Sequence, residues 1–419
     1  RDHYAQDDEE IQKTWEDYQE QIKEGQIGKC LVTGKETEIA RIHRGIKGVP
    51  GAQSSGAALV SFNATAFESY GKEQSYNAPV GKYAEFAYTT ALNYLLNQKE
   101  YTFRLGDSII VFWAESAQKI YQRTFFTLMN PQSDNQEELK KVFKNLEKNI
   151  WVDTEDVQIN LNQKFYILGI APNAARLSVR FFYQNTFGEI LNNLEKHYKR
   201  MKIIQPAWED KTYLGIEAML LETANLKSKD KSPISNMATM TLKSILSNAS
   251  YPVSLYTNTI LRTRSEQGKV TSGRAAIIKA VLIKNYKWKE GEEYMALNQE
   301  SEDQAYVLGR LFAVLESIQK DANPGINTTI RDRYFNSACA TPALVFPILI
   351  KLKNSHIKKL EREHPEKKKW YEISLTEIIG KIEMTKDGFP KQLPLEEQGK
   401  FMLGYYHQIQ KKYEKKEDK

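Results

Sequence analysis

From Lys29 to Val80, glycine and proline recur at Gly34, Gly45, Gly48, Pro50, Gly51, Gly56, Gly71 and Pro79, so regular structure there is confined to short runs such as Ala57 to Phe62. This stretch reads as long loops with short strands, and it sits inside more regular surroundings. Upstream, residues 8 to 24 are charged and helical in period, with Ile11, Trp15, Tyr18 and Ile22 on one face. Downstream, Tyr83 to Leu96 has a helical pattern, and Asp107 to Trp113 has the β-branched, apolar run of a buried strand. Lys164 to Ala171 predicts a second strand. Arg176 to Tyr183 predicts a third, because Leu177, Val179 and Phe181 alternate with Ser178, Arg180 and Phe182.

Beyond about residue 185 the strand signals fade. Helical patterns run over Ile190 to Tyr198, Ser235 to Leu246 and Arg274 to Asn285. The polar stretch from Lys287 to Glu293 predicts a hinge. After it, Leu308, Leu311, Phe312, Leu315 and Ile318 hold the spacing of a buried helical face, and Ala343 to Leu360, Ser374 to Ile382 and Gly399 to Tyr413 follow as helices. The expected architecture is an α+β N-terminal body with short strands and long loops over 1–185, a mainly helical basic region over 186–292, and a C-terminal helical bundle over 293–419. A chain of 419 residues is long enough for two or three such parts.

At 41% hydrophobic and 27% charged residues the chain has the balance of a packed globular protein and lacks that of a disordered one. The longest apolar stretch, Leu344 to Ile350, is interrupted by Pro347 and far short of the roughly 20 residues a membrane helix needs. The first residue is Arg1, and no apolar signal-peptide core follows it, so the protein's own N-terminus is expected upstream. Cys30 and Cys339 are the sole cysteines, which permits neither a disulfide framework nor a cysteine zinc site and suits a reducing cytoplasm.

Catalytic signatures are weak. The six histidines, His3, His43, His197, His356, His364 and His407, include no i, i+4 pair and no HExxH motif, so neither metal nor cofactor is expected. The run Thr33-Gly34-Lys35-Glu36-Thr37 lacks the leading glycine of a phosphate-binding loop, and Glu36 stands where the magnesium-binding hydroxyl belongs, so a turn is the better reading. A metal-dependent nuclease remains the enzyme alternative. It would need a carboxylate or histidine cluster that no motif marks.

Charge is more informative in its distribution than in its total of +6. Within the loop segment, Arg41, His43, Arg44 and Lys47 precede Gln53, Ser54 and Ser55, with Asn63, Gln74 and Asn77 further on. Small residues let backbone approach a duplex while these side chains contact phosphates or base edges; an ordinary solvent loop has the same composition. A second basic region carries Arg262, Arg264, Lys269, Arg274, Lys279, Lys284, Lys287 and Lys289 against Glu266 and Glu290, a net +6. That suits a surface tracking nucleic-acid backbone, with Tyr256, Tyr286 and Trp288 as stacking aromatics, or equally a solvated helix face over core aromatics. A third group, Lys351, Lys358, Lys359 and Arg362, falls on one side of a helix, beside Lys353, and suits the tracking of a single strand or equally an ordinary exposed face, diluted by Glu361 and Glu363.

The loop residues read in order give Cys-Leu-Val-Thr-Gly at 30 to 34, Ala-Arg-Ile-His at 40 to 43, Ile-Lys-Gly-Val at 46 to 49 and Gly-Ala-Gln-Ser-Ser-Gly at 51 to 56. Ser61-Phe62-Asn63, Ser69-Tyr70-Gly71 and Asn77-Ala78-Pro79-Val80 follow. With Ala171 to Arg180, the Arg274 to Ala280 helix, Leu308 to Glu316, Arg333-Tyr334-Phe335 and Phe401 to Gln408, this series resembles the large-subunit family of subtype I-C (Dvulg) CRISPR surveillance complexes, or Cascade, over essentially the whole chain. The resemblance implies a subunit without catalysis of its own, in a complex where guide-RNA pairing reads the target and protein reads the adjacent motif (PAM). It implies as partners the guide CRISPR RNA complex, double-stranded target DNA and its displaced single strand, the backbone and guide-processing subunits, small-subunit copies and the helicase-nuclease. Arg41, His43, Arg44, Lys47, Gln53, Ser54, Ser55, Asn63, Gln74 and Asn77 would then face duplex, and Arg176 and Arg180 from the Ala171 block would also bind DNA. Arg262, Arg264, Lys269, Arg274, Lys279 and the 351–362 cations would guide single strand. In this family the small subunit arises by internal initiation, and Met295 is either that start or an ordinary methionine.

Overall fold

The computed structural model describes residues 8–21, 25–116, 118–147, 153–154, 157–209, 212–225, 227–229, 232–288, 294–383 and 388–411. Ile22, the Lys289 to Glu293 part of the expected hinge and Tyr413 therefore lie outside the described residues. The chain divides into two compact units, the first made of 1–113 and 166–184, the second of 114–165 and 185–419. A small N-terminal β region with short strands precedes a mainly helical C-terminal part, as the patterning predicts. Both 186–292 and 293–419 belong to the second unit.

In the first unit, helix α1 (Glu9–Gln21) leads to the short antiparallel pair β1 (Ile27–Lys29) and β2 (Glu36–Glu38). The turn between them wraps Cys30, whose thiol accepts from Gly81 N–H at 3.2 Å and Val32 N–H at 3.4 Å. After a long loop come helix α2 (Lys82–Leu96) and strands β3 (Thr102–Leu105) and β4 (Ser108–Ala114). Strands β7 (Lys164–Asn173) and β8 (Arg176–Thr186) complete a four-stranded sheet in the order β3-β4-β7-β8, its strand ends reaching the second unit. The core of this unit joins loop to sheet and helix: Ile46, Val49 and Ala57 pack with Leu92 and Leu96 of α2 and with Ile109, Val111, Ile170 and Leu177 of the strands. Three buried loop residues thus hold a segment of little regular structure to a rigid support, Ile46 and Val49 each contributing about 1.5–3 kcal/mol and the small Ala57 less. Ala57 to Phe62, read as a short run, makes isolated bridges rather than a strand, Ala57 with Ile46 and Ala58 with Arg176.

The second unit contains α3 (Lys119–Met129), α4 (Gln136–Glu147) and the two-residue strands β5 (Asp153–Thr154) and β6 (Val157–Gln158). Helices α5 (Phe187–Met201), α6 (Ile216–Leu221), α7 (Ser235–Leu246), α8 (Val253–Ser265) and α9 (Ser272–Asn285) follow. The unit ends with α10 (Gln304–Ala322), α11 (Ile330–Ala340), α12 (Pro342–Glu363), α13 (Pro365–Gly380) and α14 (Leu395–Lys411). Helix α10 is buried all round from Ala305 to Ile318, the mark of a central helix. Among the described residues no helix is long and apolar enough to cross a membrane.

Candidate nucleic-acid interface

Residues 39–46 are pinned at both ends, where Ile39 bridges Gly81 and Ile46 bridges Ala57. Between the pins, Arg41 and Arg44 are exposed, as is Lys47 just beyond, while His43 points inward at 4% exposure. Helix α2 fixes the backbone of this loop from one face. Glu85 Oε1 accepts from Arg44 N–H at 2.7 Å, Asn93 Oδ1 accepts from Lys47 N–H at 2.7 Å, and Asn93 Nδ2 donates to Gly45 O at 3.3 Å. The Arg44 guanidinium lies 4.9 Å over the Phe86 ring and 4.0 Å from the Glu85 carboxylate. Gly45 and Gly56 meet backbone to backbone; a Cβ on Gly56, whose φ is +109°, would come within 3.1 Å of the Gly45 backbone.

Four of the expected residues, Arg41, His43, Asn63 and Gln74, line one open depression of about 130 Å3, together with Ser61 and Ser75. Arg41 Nε donates to Gln74 Oε1 at 2.7 Å, and its carbonyl accepts from Ser75 N–H at 3.2 Å. His43 Nδ1 lies 2.6 Å from the Tyr88 hydroxyl, while its buried Nε2 has no partner. Burial pushes the pKa of this imidazole down against the pull of Glu85, so it is neutral at physiological pH. Cationic guanidinium, neutral imidazole, amides and hydroxyls around one opening form a surface that offers phosphates a charge and base edges several donors and acceptors.

The other expected residues of this unit differ in availability. Gln53, Ser54 and Ser55 are exposed on a turn closed by Gly56 N–H to Gln53 O at 3.0 Å. The Asn77 amide is spent inside the protein: it accepts from Ser69 N–H at 2.9 Å and donates to Lys72 O at 2.7 Å and Gln74 O at 2.9 Å. Asn77 is thus a brace for the 69–74 turn, which corrects the expectation of a polar DNA contact. Arg176 lies half-buried, 4.5 Å over Phe67. Arg180 is paired with Asp107 at 2.9 Å, so its charge is neutralised locally.

In the second unit the described run 262–288 is not one charged face. Arg274 is 3% exposed, pairing with Glu266 at 2.9 Å and Glu222 at 3.5 Å and donating to Lys269 O at 2.8 Å. Lys279 is 2% exposed, in the middle of a helix, α9, buried from Gly273 to Leu282. Neither presents its charge to solvent, which corrects the expectation that they follow a strand. The reason is that basic residues spaced along a helix buried on every side must enter the interior with it. Arg262 and Arg264 are half-buried, beside Glu266 at 3.9 Å and Gln398 at 3.2 Å, and Lys269 and Lys287 are exposed. Tyr256, with 0% exposure, and Trp288, with 8%, are core aromatics, and Trp288 stacks on Tyr294 at 4.3 Å; Tyr286 reaches the surface at 37%. On α12, Lys351, Lys358 and Arg362 are exposed, and Lys359 donates to Asn323 Oδ1 at 3.3 Å.

Sequence reasoning missed the loop's supports, Glu85, Tyr88 and Asn93. Their signal is weak, polar residues on a helix that also buries Ala84, Thr89, Leu92 and Leu96, and without the loop beside it the helix gives no reason for them. Among the described residues no group of three or more His, Cys, Asp or Glu stands ready to hold a metal. The family model CRISPR-associated protein (Cas_Csd1) matches residues 1–413. No curated protein matches the chain. The match spans both units and every block of residues that carries the resemblance, so the chain belongs to the Cas_Csd1 family, the large subunits of type I-C CRISPR surveillance complexes.

Proposed function

We propose that the loop layer of the first unit is the surface with which this subunit grips duplex target DNA and contributes to reading the motif beside the guide-paired sequence, without catalysing a reaction itself. The observation that carries this is the convergence of Arg41, His43, Asn63 and Gln74 on one depression, with Arg44 and Lys47 exposed further along the same loop. The cations supply sequence-independent affinity, and Asn63 and Gln74 supply groups able to distinguish base edges. Held there, the subunit helps open the duplex, stabilises the R-loop with exposed cations such as Lys269, Lys351, Lys358 and Arg362, and offers the helicase-nuclease a docking surface. Its partners are the guide-RNA complex with its backbone and guide-processing subunits, and small-subunit copies begun at Met295.

The test is target binding by the reconstituted guide-RNA complex over a salt series. Replacing Arg41, Arg44 and Lys47 together by alanine is expected to weaken binding and to make the log–log salt slope shallower by up to about 3, about 1 for each phosphate no longer neutralised. Asn63→Ala is expected to leave the slope alone and flatten the preference among flanking sequences. An unaltered slope in a properly assembled triple variant would remove the loop layer from the DNA interface.

A further inference from the structure

Next to the depression, Ser69 and Lys72 form an antiparallel bridge, with Lys72 N–H donating to Ser69 O at 3.0 Å. The two residues between them both have positive φ, +53° at Tyr70 and +66° at Gly71. That is the two-residue reverse turn in which Asn-Gly or Gly-Gly is usual. Gly71 suits it, whereas a tyrosine in left-handed backbone costs about 1–2 kcal/mol. Packing of the ring does not offset that cost, because Tyr70 is 99% exposed. The turn is nevertheless rigidly held. The Asn77 amide bonds to both sides of it, and Gln74, itself at φ +46°, donates its N–H to Glu68 Oε1 at 3.3 Å while its side chain reaches Arg41 at the depression.

An aromatic ring set wholly in solvent on a braced, strained tip, two residues from exposed Lys72 and four from Gln74, which bonds the depression's guanidinium, has the properties of a base-stacking group. Its flat face accepts any base, it has few torsions to freeze on binding, and the neighbouring cations attract the phosphates on either side. We propose that Tyr70 stacks on a nucleobase of the target DNA at a bared stacking face, the end of the flanking duplex or the first unpaired base beyond it. This rests on the loop layer being the DNA interface.

The experiment uses the reconstituted guide-RNA complex with Tyr70→Asn, which keeps a residue tolerant of left-handed backbone and removes the ring, and Tyr70→Phe, which keeps the ring. Target DNA carries 5-iodouracil at successive positions across the flank and the first bases beyond it. Tyr70→Asn is expected to lower target affinity about tenfold, as removal of one base–aromatic stack does, and Tyr70→Phe to stay within about twofold. Photo-crosslinking to Tyr70 is expected at one or two adjacent positions. If Tyr70→Asn binds normally and no position crosslinks while the Arg41, Arg44 and Lys47 triple variant is weakened, the stacking role is overturned and the interface stands. Normal binding by both variants overturns the interface reading as well. Impaired assembly of Tyr70→Asn without DNA would make the ring a protein contact and also overturn the proposal.

Discussion

His197 and His407 are buried in the helical unit at 2% and 0% exposure, with Nδ1 of each on a tyrosine hydroxyl, Tyr251 at 2.7 Å and Tyr306 at 2.9 Å. Burial, aided by Arg200 beside His197 and Lys279 beside His407, brings both pKa values down to about 3. Each is therefore neutral when folded, while the unfolded chain takes up a proton near pH 6.5. Between pH 6.5 and 3 the unfolded state binds more protons, so this part of the stability is complete above 6.5 and falls away as the pH drops. At pH 5 the expected loss is about 2 kcal/mol for each histidine. Urea denaturation at pH 7 and pH 5 measures it, and equal stability at the two values would show that the rings are not held neutral. At the same scale, Arg274 shows why residue type alone misleads: a guanidinium between Glu222 and Glu266 is a structural cation, and removing it would disturb α9 before it altered any DNA contact.

Among the elements, the closest pairing is that of α10 with α14, and glycines permit it. A Cβ on Gly309 would run into the Phe401 carbonyl, and one on Gly404 into the Tyr306 carbonyl, so each helix presses its backbone on the other. Phe312 and Phe335 close the contact against Phe401 and Tyr405, with ring centroids 5.3–6.0 Å apart. Alanine at a helical glycine gains up to about 1 kcal/mol in propensity, but overpacking a tight contact costs about 1–3 kcal/mol, more when the obstacle is backbone. Gly404→Ala is thus expected to lower the thermal midpoint. Gly380→Ala, at the end of α13 with no atom within 4 Å of its Cβ, is expected to leave the midpoint level or raise it slightly. Calorimetry of the pair checks this; equal behaviour would mean that α10 and α14 separate without cost.

Across the whole molecule, the expected bundle 293–419 is bound into its unit by residues before it. Tyr406 donates to Ile204 O at 2.7 Å, Tyr256 donates to Glu396 O at 3.0 Å, and Gly399 of α14 lies against Tyr256 and Ile278. A segment begun at Met295 would lose α8 and α9 and bare that face of α14. Made alone, 295–419 is expected to associate with itself and to bind a hydrophobic dye, readable by light scattering and ANS fluorescence. A dye-silent monomer would show that the bundle completes its own core.

Regular patterning made much of this fold legible. Ser235 to Leu246 is the full extent of α7, and the strands at Asp107, Lys164 and Arg176 begin within a residue of those found, because runs of one period carry their own evidence. Helices α3, α4, α6, α8 and α11 and the first half of α13 carry no such pattern. For the site, residue order alone establishes a glycine-rich, basic, amide-bearing loop between Lys29 and Val80, and the residue blocks it shares with a known family point to what such a loop serves. That Arg41, His43, Asn63 and Gln74 meet, that Asn77 is a brace, and that Arg274 and Lys279 lie inside emerges from the folded chain. The reason is physical: composition counts charges and amides, but whether a side chain faces solvent or a neighbour depends on packing between segments distant in the chain.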